Sequence, residues 1–441
     1  MKKIVTSLAV ALAATSAFAG GLLTTTSQNA HYLRFFSQDA DINLTSLYAN
    51  PAGQAFLNKG WHISASAMTA MQSRDIQTTF PLYSFNAGNP NATHKFEGDA
   101  FAPVIPSFDV AYVQDKWSVS AHFGVVAGGG TCEFENGLGS LEAVASNMLM
   151  QGALGMGIPA NMFSYKLDSY LKGKQNYFGF QIGGTYKVLD NLSAYAGIRG
   201  TYATCGYEGG LYNLQILNPM TQSYVPASAD IVLDNSQTAF SVTPILGIHY
   251  RPTKQLELAA KYEFRTKVNL KNSTTPESAA AVALLPQYAD GAKVRNDIPA
   301  LLTMGAQYRP IENLKIAASW HYYFDKSATK YGNKQDLIDG NTMEFLAGVE
   351  WKFCKWVAAS ASWQNTIYDL SDAWMSDMDF TMTNHSLGLG VRIYPCKLLN
   401  IDLGYMHTFY QDREVTTAAT QMKNLYSRTS DVVGIGLNFA F

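Results

Sequence analysis

The sequence predicts an all-β protein: an antiparallel up-and-down β-barrel of 14 strands that spans a membrane, with an N-terminal plug inside and partly helical extracellular loops. Three observations carry this. Apolar and polar residues alternate with period two over many segments, the connections between those segments alternate between short and long, and the chain starts like an exported one yet holds no apolar stretch near the ~20 residues a membrane helix needs. Its 441 residues are 12% aromatic and only 15% charged, with 35 Gly, 25 Tyr and 23 Phe, as expected of a barrel that is greasy outside and polar inside. The net charge of −2 gives no electrostatic case for nucleic acid.

Met1-Lys2-Lys3 is a short basic n-region, Ile4 to Ala14 an apolar core too short to span a bilayer, and Ala17-Phe18-Ala19 a small-x-small cleavage pattern. Residues 1–19 therefore read as a secretory signal, with a mature chain starting at Gly20. Residues 20–60 do not alternate and read as the plug, or hatch. They end in Asn50-Pro51-Ala52-Gly53, a turn in which proline pushes Asn50 out of the helical region and Gly53 tolerates positive φ. Tyr32, Leu33, Phe35, Phe36, Phe56 and Leu57 argue against a solvated arm. Residues 61–441 read as the barrel.

The alternation is clear in Leu256 to Leu270. Leu256, Leu258, Ala260, Tyr262, Phe264 and Val268 suit lipid, while Glu257, Lys261, Glu263, Arg265, Lys267 and Asn269 suit a wet lumen. It recurs in Leu314 to Asp325, in Ser386 to Tyr394 and in Val432 to Phe441. Short turns such as Asp190-Asn191 and Pro252-Thr253-Lys254 alternate with long connections near 81–100, 130–175, 208–236, 272–298, 327–341, 370–383 and 415–429. Short periplasmic turns and long outer loops are the pattern of the bacterial outer membrane. Its lipids and lipopolysaccharide are then the surroundings, and the terminal Phe441 is the signal for the outer-membrane assembly machinery.

Two long loops carry helical spacing. Leu141, Val144, Ala145, Met148 and Leu149 form one candidate, and Thr275-Pro276-Glu277 starts another that Pro286 stops. Such helices either pack on each other as a lid or line an apolar groove (Leu141, Val144, Met148, Leu149), where methionine adapts to varied ligands. Of the four cysteines, Cys132 and Cys205 follow outward-running strands, whereas Cys354 and Cys396 lie in short turns. Pairings Cys132–Cys205 and Cys354–Cys396 avoid spanning the membrane thickness. No cysteine has His or carboxylates clustered with it as a metal would require, so no metal or other cofactor is expected. His385 and Ser386 point to opposite faces of one strand, and lumenal histidines such as His122, His249 and His321 are more simply hydrogen-bonded fillers. An enzyme is not expected.

The chain resembles the FadL family of outer-membrane transporters for long-chain fatty acids and other hydrophobic compounds. The residues that carry this are Asn50-Pro51-Ala52, Tyr262 to Leu270, Asp297-Ile298-Pro299-Ala300, Gly404-Tyr405-Met406-His407 and Gly436 to Phe441, in the family's order. The resemblance implies a monomer that takes up hydrophobic small molecules by passive diffusion. Ligand would pass from a loop groove to an inner pocket reached by Gly20, Leu22 and Leu23, then sideways through a kink in the third strand. Gly124, Gly128 and Gly129 either supply that gap or merely let bulky plug residues approach. Family members place basic residues near a ligand carboxylate; this chain has Thr204 at one such position, and Arg199 or Arg265 are the candidate substitutes. Lumenal Arg and Lys are more simply partners of Glu257, Glu263, Glu344, Glu350 and Asp402. The other reading is a general diffusion porin for hydrophilic solutes, which would constrict its pore with an inward loop rather than an N-terminal plug.

Overall fold

The computed structural model describes Leu22, residues 28–417 and residues 420–441. The signal segment, Gly20 and Leu23 lie outside them. Fourteen antiparallel strands form a closed barrel. They are β1 (Gly60–Thr79), β2 (Thr93–Val113), β3 (Trp117–Phe134), β4 (Tyr165–Leu189), β5 (Leu192–Asn218) and β6 (Ile231–Tyr250). Next come β7 (Leu256–Glu263 with Asn269–Thr274), β8 (Lys293–Arg295 with Leu301–Ile311), β9 (Leu314–Tyr323) and β10 (Thr342–Trp351). The last are β11 (Val357–Ile367), β12 (Asn384–Cys396), β13 (Leu399–Tyr410 with Arg413–Thr417) and β14 (Met422–Ala440). β14 pairs with both β13 and β1, from His62↔Ala440 to Thr79↔Lys423, so the sheet closes on itself.

The alternation sorts the faces as read. Phe180, Ile198, Phe240, Ile248, Leu389 and Ile435 are exposed on the outside, while Gln181, Arg199, Ser241, His249 and Gln364 are buried inside. A water-soluble barrel would reverse this. An apolar outer band around a polar interior is the arrangement of an outer-membrane barrel. Among the described residues no helix is long and apolar enough to cross a membrane.

Three expectations need correction. The stretch near 208–236 is mostly strand, and the end of that near 130–175 is strand too: β4 and β5 run for 25 and 27 residues and pair as far out as Tyr165↔Ile216. Arg265 is not lumenal. The ladder of β7 breaks after Glu263, Phe264 and Arg265 are both exposed, and burial resumes at Thr266, one residue out of step, so Val268 and Leu270 turn inward. Arg265 sits at the surface and donates to the Ser327 carbonyl at 2.6 Å. All four cysteines are free thiols. Cys132 faces Gly173 across β3–β4 and Cys205 faces Gln175 across β4–β5, so a whole strand separates them. Two strand spacings are ~9.5 Å, beyond the ~7 Å a disulfide tolerates. The β11–β12 ladder ends at Val357↔Ile393, leaving Cys354 in a bend and Cys396 paired with Leu399 in its own hairpin.

Short helices complete the chain. Helix α1 (Ala30–Arg34) starts where the Asn29 side chain accepts the Tyr32 N–H at 2.8 Å. Helix α2 (Gly139–Gly155) lies in the β3–β4 loop, and α3 (Ala279–Leu284) in the β7–β8 loop follows a 3₁₀ turn opened by Pro276, with Pro286 just beyond it.

Candidate functional site

Residues 28–57 reach strands on every side, which only a segment inside the ring can do. The Ala30 N–H donates to Ser66 Oγ on β1, and the Tyr32 hydroxyl donates to Gln364 on β11. Thr185 on β4 donates to the Pro51 carbonyl at 3.1 Å and Ser193 on β5 to the Ala52 carbonyl at 2.6 Å. Asn50 explains its own turn. Its Oδ1 accepts the Ala52 N–H at 2.9 Å, while its Nδ2 donates to the carbonyls of Ile248 on β6 and Ala260 on β7 at 3.1 and 3.3 Å. Proline at the first position of the 3₁₀ turn Pro51–Phe56 fixes φ where no N–H is needed. Gly53 packs under His249, whose Nδ1 would lie 3.3 Å from an added Cβ.

Ion pairs lock this segment to the wall. Arg34, fully buried, binds Asp402 (Nε–Oδ1 2.6 Å) and Glu350, and donates to Ser360 at 2.9 Å. Asp402 also holds Arg392, and Lys315 bridges Asp41 and Glu350 at 3.2 and 3.1 Å. His321 lies between Asp39 (2.9 Å) and Glu344 (3.0 Å). Arg199 is part of the same lock: its guanidinium binds Glu263 (Nη1–Oε2 2.5 Å) and Gln181 and lies over the Tyr48 ring, while Lys261 donates to the Tyr48 carbonyl. The lumenal acids named from the sequence thus have cationic partners, several of them with the plug between. Sequence reasoning did not single out Arg34, Asp39 or Asp41. In the sequence Asp39 and Asp41 read only as part of a stretch too polar for a core strand; the signal for all three is charge in a segment that does not alternate.

A second feature lies in β2 and β3. Their ladder runs from Val113↔Ser118 to Phe108↔Phe123, then stops, and resumes only at Asp99↔Glu133. Opposite this break β3 bulges twice against β4, between Val125 and Ala127 and between Gly128 and Gly130. Gly128 and Gly130 have φ of 92° and 76°, and a Cβ on Gly128 would lie 2.4 Å from the Gln175 carbonyl oxygen, so only glycine fits. Gly129 is the extra residue of the second bulge, and Gly124 lies just short of the first. Inside the break, Ala102, Ile105 and Val125 pack with Met68 and the plug's Tyr32, Leu33 and Phe36.

A third feature is apolar and lies toward the long loops. Leu22 is buried in a cluster with Ile76, Phe80, Tyr83, Trp374, Phe380 and Tyr426, and Leu141 packs against its rim. Farther out, a cavity of about 210 Å³ opens between α2 and the outer part of β5, lined by Met148, Leu149, Met156, Leu211, Leu214 and Ile216. Met148 is exposed and Leu149 buried; Leu141 and Val144 are not among its walls. Glu142 pins α2, accepting from Asn86 Nδ2 (2.8 Å), His94 Nδ1 (2.8 Å) and the Tyr165 hydroxyl (3.0 Å). Among the described residues no group of His, Cys, Asp or Glu could hold a metal ion.

No family model and no curated protein sequence matches the chain. Solved structures do. A Pseudomonas aeruginosa FadL homologue superposes with a TM-score of 0.68 at 16% identity, over 95% of this chain and 99% of that one. The Pseudomonas putida toluene transporter TodX gives 0.59 at 14% identity, over 93% and 99%. The Ralstonia pickettii toluene transporter TbuX gives 0.52 at 14% identity, over 93% and 100%. At these identities the likeness speaks for architecture: the chain has the β-barrel fold of the FadL homologue and of the toluene transporters.

Proposed function

We propose that this barrel admits hydrophobic small molecules, long-chain fatty acids or similar apolar compounds, by passive diffusion across the outer membrane, without catalysing a reaction. A molecule collects in the cavity beside α2, moves to the cluster now filled by Leu22, and leaves sideways between β2 and β3. The residues 28–57 act as the plug that keeps water and ions from following. The observation that carries this reading is the interrupted β2–β3 ladder. A barrel gives up backbone hydrogen bonds at that depth only at a cost, and here the break coincides with two bulges, two positive-φ glycines and an apolar lining. The solved barrels of like fold include two toluene transporters, which supports an apolar cargo.

The test is native mass spectrometry of detergent-extracted protein, with lipid extraction of what co-purifies. Bound apolar molecules, lost when Leu22→Asp puts a charge into the cluster, are the expected result. An empty barrel that conducts ions freely would overturn the reading in favour of a porin.

A further inference from the structure

The outer wall of β7 and β8 carries a band of positive charge directly above its lipid-facing residues. Leu258 and Phe264 are exposed on β7, and Phe264 joins Tyr262, Phe324 and Tyr322 in a chain of ring contacts with centroids 4.9 to 6.2 Å apart. Aromatic residues so placed mark the boundary between hydrocarbon and headgroups. From Leu256 to Phe264 the strand climbs roughly 20 Å at the usual tilt, close to the height of an apolar belt. Beyond Phe264 the exposed residues are Arg265, Lys267, Asn269 and Lys271, and β8 sets Lys293 opposite Lys271 and Arg295 opposite Asn269. Two like charges directly across a ladder repel each other. Arg265 and Arg295 share one carboxylate, that of the buried Asp297. Exposed lysines elsewhere on the strands are matched, Lys95 to Asp75 and Glu97, Lys172 to Glu133 and Lys423 to Glu414, whereas Lys267, Lys271 and Lys293 form no ion pair among the described residues. The neighbouring β6 has no acidic residue from Ser236 to Tyr250.

Five cations with one carboxylate between them call for anions from outside the chain. Height decides which anions fit. Residues 265 to 271 stand roughly 3 to 18 Å above Phe264, whereas the polar layer of an ordinary bilayer is only about 5–8 Å deep on each side. A phospholipid, with one phosphate just above its acyl chains, reaches only the lowest of these charges. A glycolipid that carries phosphates on successive sugars reaches the whole band, while its acyl chains lie on Tyr262, Phe264 and the exposed Met304 below. We propose that Lys267, Lys271 and Lys293, with Arg265 and Arg295, bind the phosphorylated headgroup of an outer-leaflet glycolipid, lipopolysaccharide. The site lies on the outer wall and is independent of the uptake reading.

The experiment incubates the purified full-length barrel in detergent with deep-rough lipopolysaccharide, with the same lipopolysaccharide stripped of its phosphates, or with phosphatidylglycerol. Native mass spectrometry reads the lipid retained, and heat-modifiable gel mobility checks the folding of each variant. Wild type is expected to retain the phosphorylated lipopolysaccharide in preference to the other two. Each charge near an anionic lipid surface is worth about fivefold in binding, so replacing Lys267, Lys271 and Lys293 together by Gln should weaken retention about a hundredfold. Replacing Lys95, Lys172 and Lys423 together by Gln removes the same charge from lysines that already have partners, and should leave retention at the wild-type level. Equal retention of the stripped lipopolysaccharide or of phosphatidylglycerol by the wild type would overturn the proposal. So would wild-type retention by the folded Lys267, Lys271 and Lys293 variant, or an equal loss in both triple variants.

Discussion

Replacing Arg34 by methionine tests whether the plug is held by charge. Its guanidinium is fully buried between Asp402 and Glu350, and the surrounding group also contains Arg392, Lys315 and Asp41. These three cations and three anions balance. Methionine fills much of the same volume but leaves one uncompensated negative charge in the lumen, a change that costs about 3–5 kcal/mol when a buried pair loses one partner. If that cost falls on plug docking, the undocked fraction rises about 10²- to 10⁴-fold. Single-channel recording in planar bilayers should then show brief ion-conducting openings that the wild type lacks, and amide exchange in residues 28–41 should accelerate in step. Pairing Arg34→Met with Asp402→Asn restores the balance of charge and should recover a large part of both effects. Wild-type conductance and wild-type exchange in a folded Arg34→Met barrel would refute the electrostatic account of plug docking.

Three other outcomes follow from the geometry. Gly128→Ala meets the Gln175 carbonyl at a positive φ, so it should lower thermal stability by about 1–3 kcal/mol and slow the entry of apolar probes as the bulge rearranges. Asp325, in the loop after β9, is buried where it accepts N–H bonds from Thr342 and Leu22, and burial pushes its carboxyl up to about 6. The folded state therefore holds this proton more tightly than the unfolded chain, whose value is near 4. Its stabilising effect is present at low pH and is lost as pH rises through 6, by about 3 kcal/mol in full. Thermal unfolding between pH 4.5 and 7.5 should show this slope, and Asp325→Asn should remove it. Finally, with all four thiols free, a maleimide reagent applied to the folded barrel should modify the exposed Cys354 and Cys396 at once and the buried Cys205 only after unfolding.

What the sequence disclosed and what it hid have physical reasons. Period-two patterning fixes which face a residue takes, so Glu257, Lys261, Glu263 and Ile316 lie where alternation places them. The same pattern cannot show a break in the ladder. After Glu263 the faces exchange, and Arg265, read as lumenal, comes out at the surface. Register between strands is likewise invisible to alternation, which is why Cys132 and Cys205 could be assigned to one end of the barrel but their separation across β4 could not be read. His122 was placed on the inner face, yet its partner Asp109 lies across a turn and needed the pairing of β2 with β3. The segment that contacts strands around the ring was visible as a non-alternating stretch ending in Asn50-Pro51. Its lock was not, because Arg34 meets Glu350 and Asp402 from more than 300 residues away.

The length of β4 and β5 bears on the order of events outside the cell. A strand of 27 residues extends ~90 Å, and at the usual barrel tilt it rises ~65–70 Å along the axis. The apolar belt needs only ~25 Å of this. The paired hairpin therefore stands ~40 Å clear of the hydrocarbon as a rigid mast, stiffened by its ladder to Tyr165↔Ile216, with α2 resting near its top. On the uptake reading proposed above, a sparingly soluble molecule arriving from the medium would meet an apolar protein surface tens of ångströms before the hydrocarbon. Height thus becomes a kinetic quantity: trimming the mast without touching the barrel would lengthen the watery part of the journey and leave the rest of the path as it was.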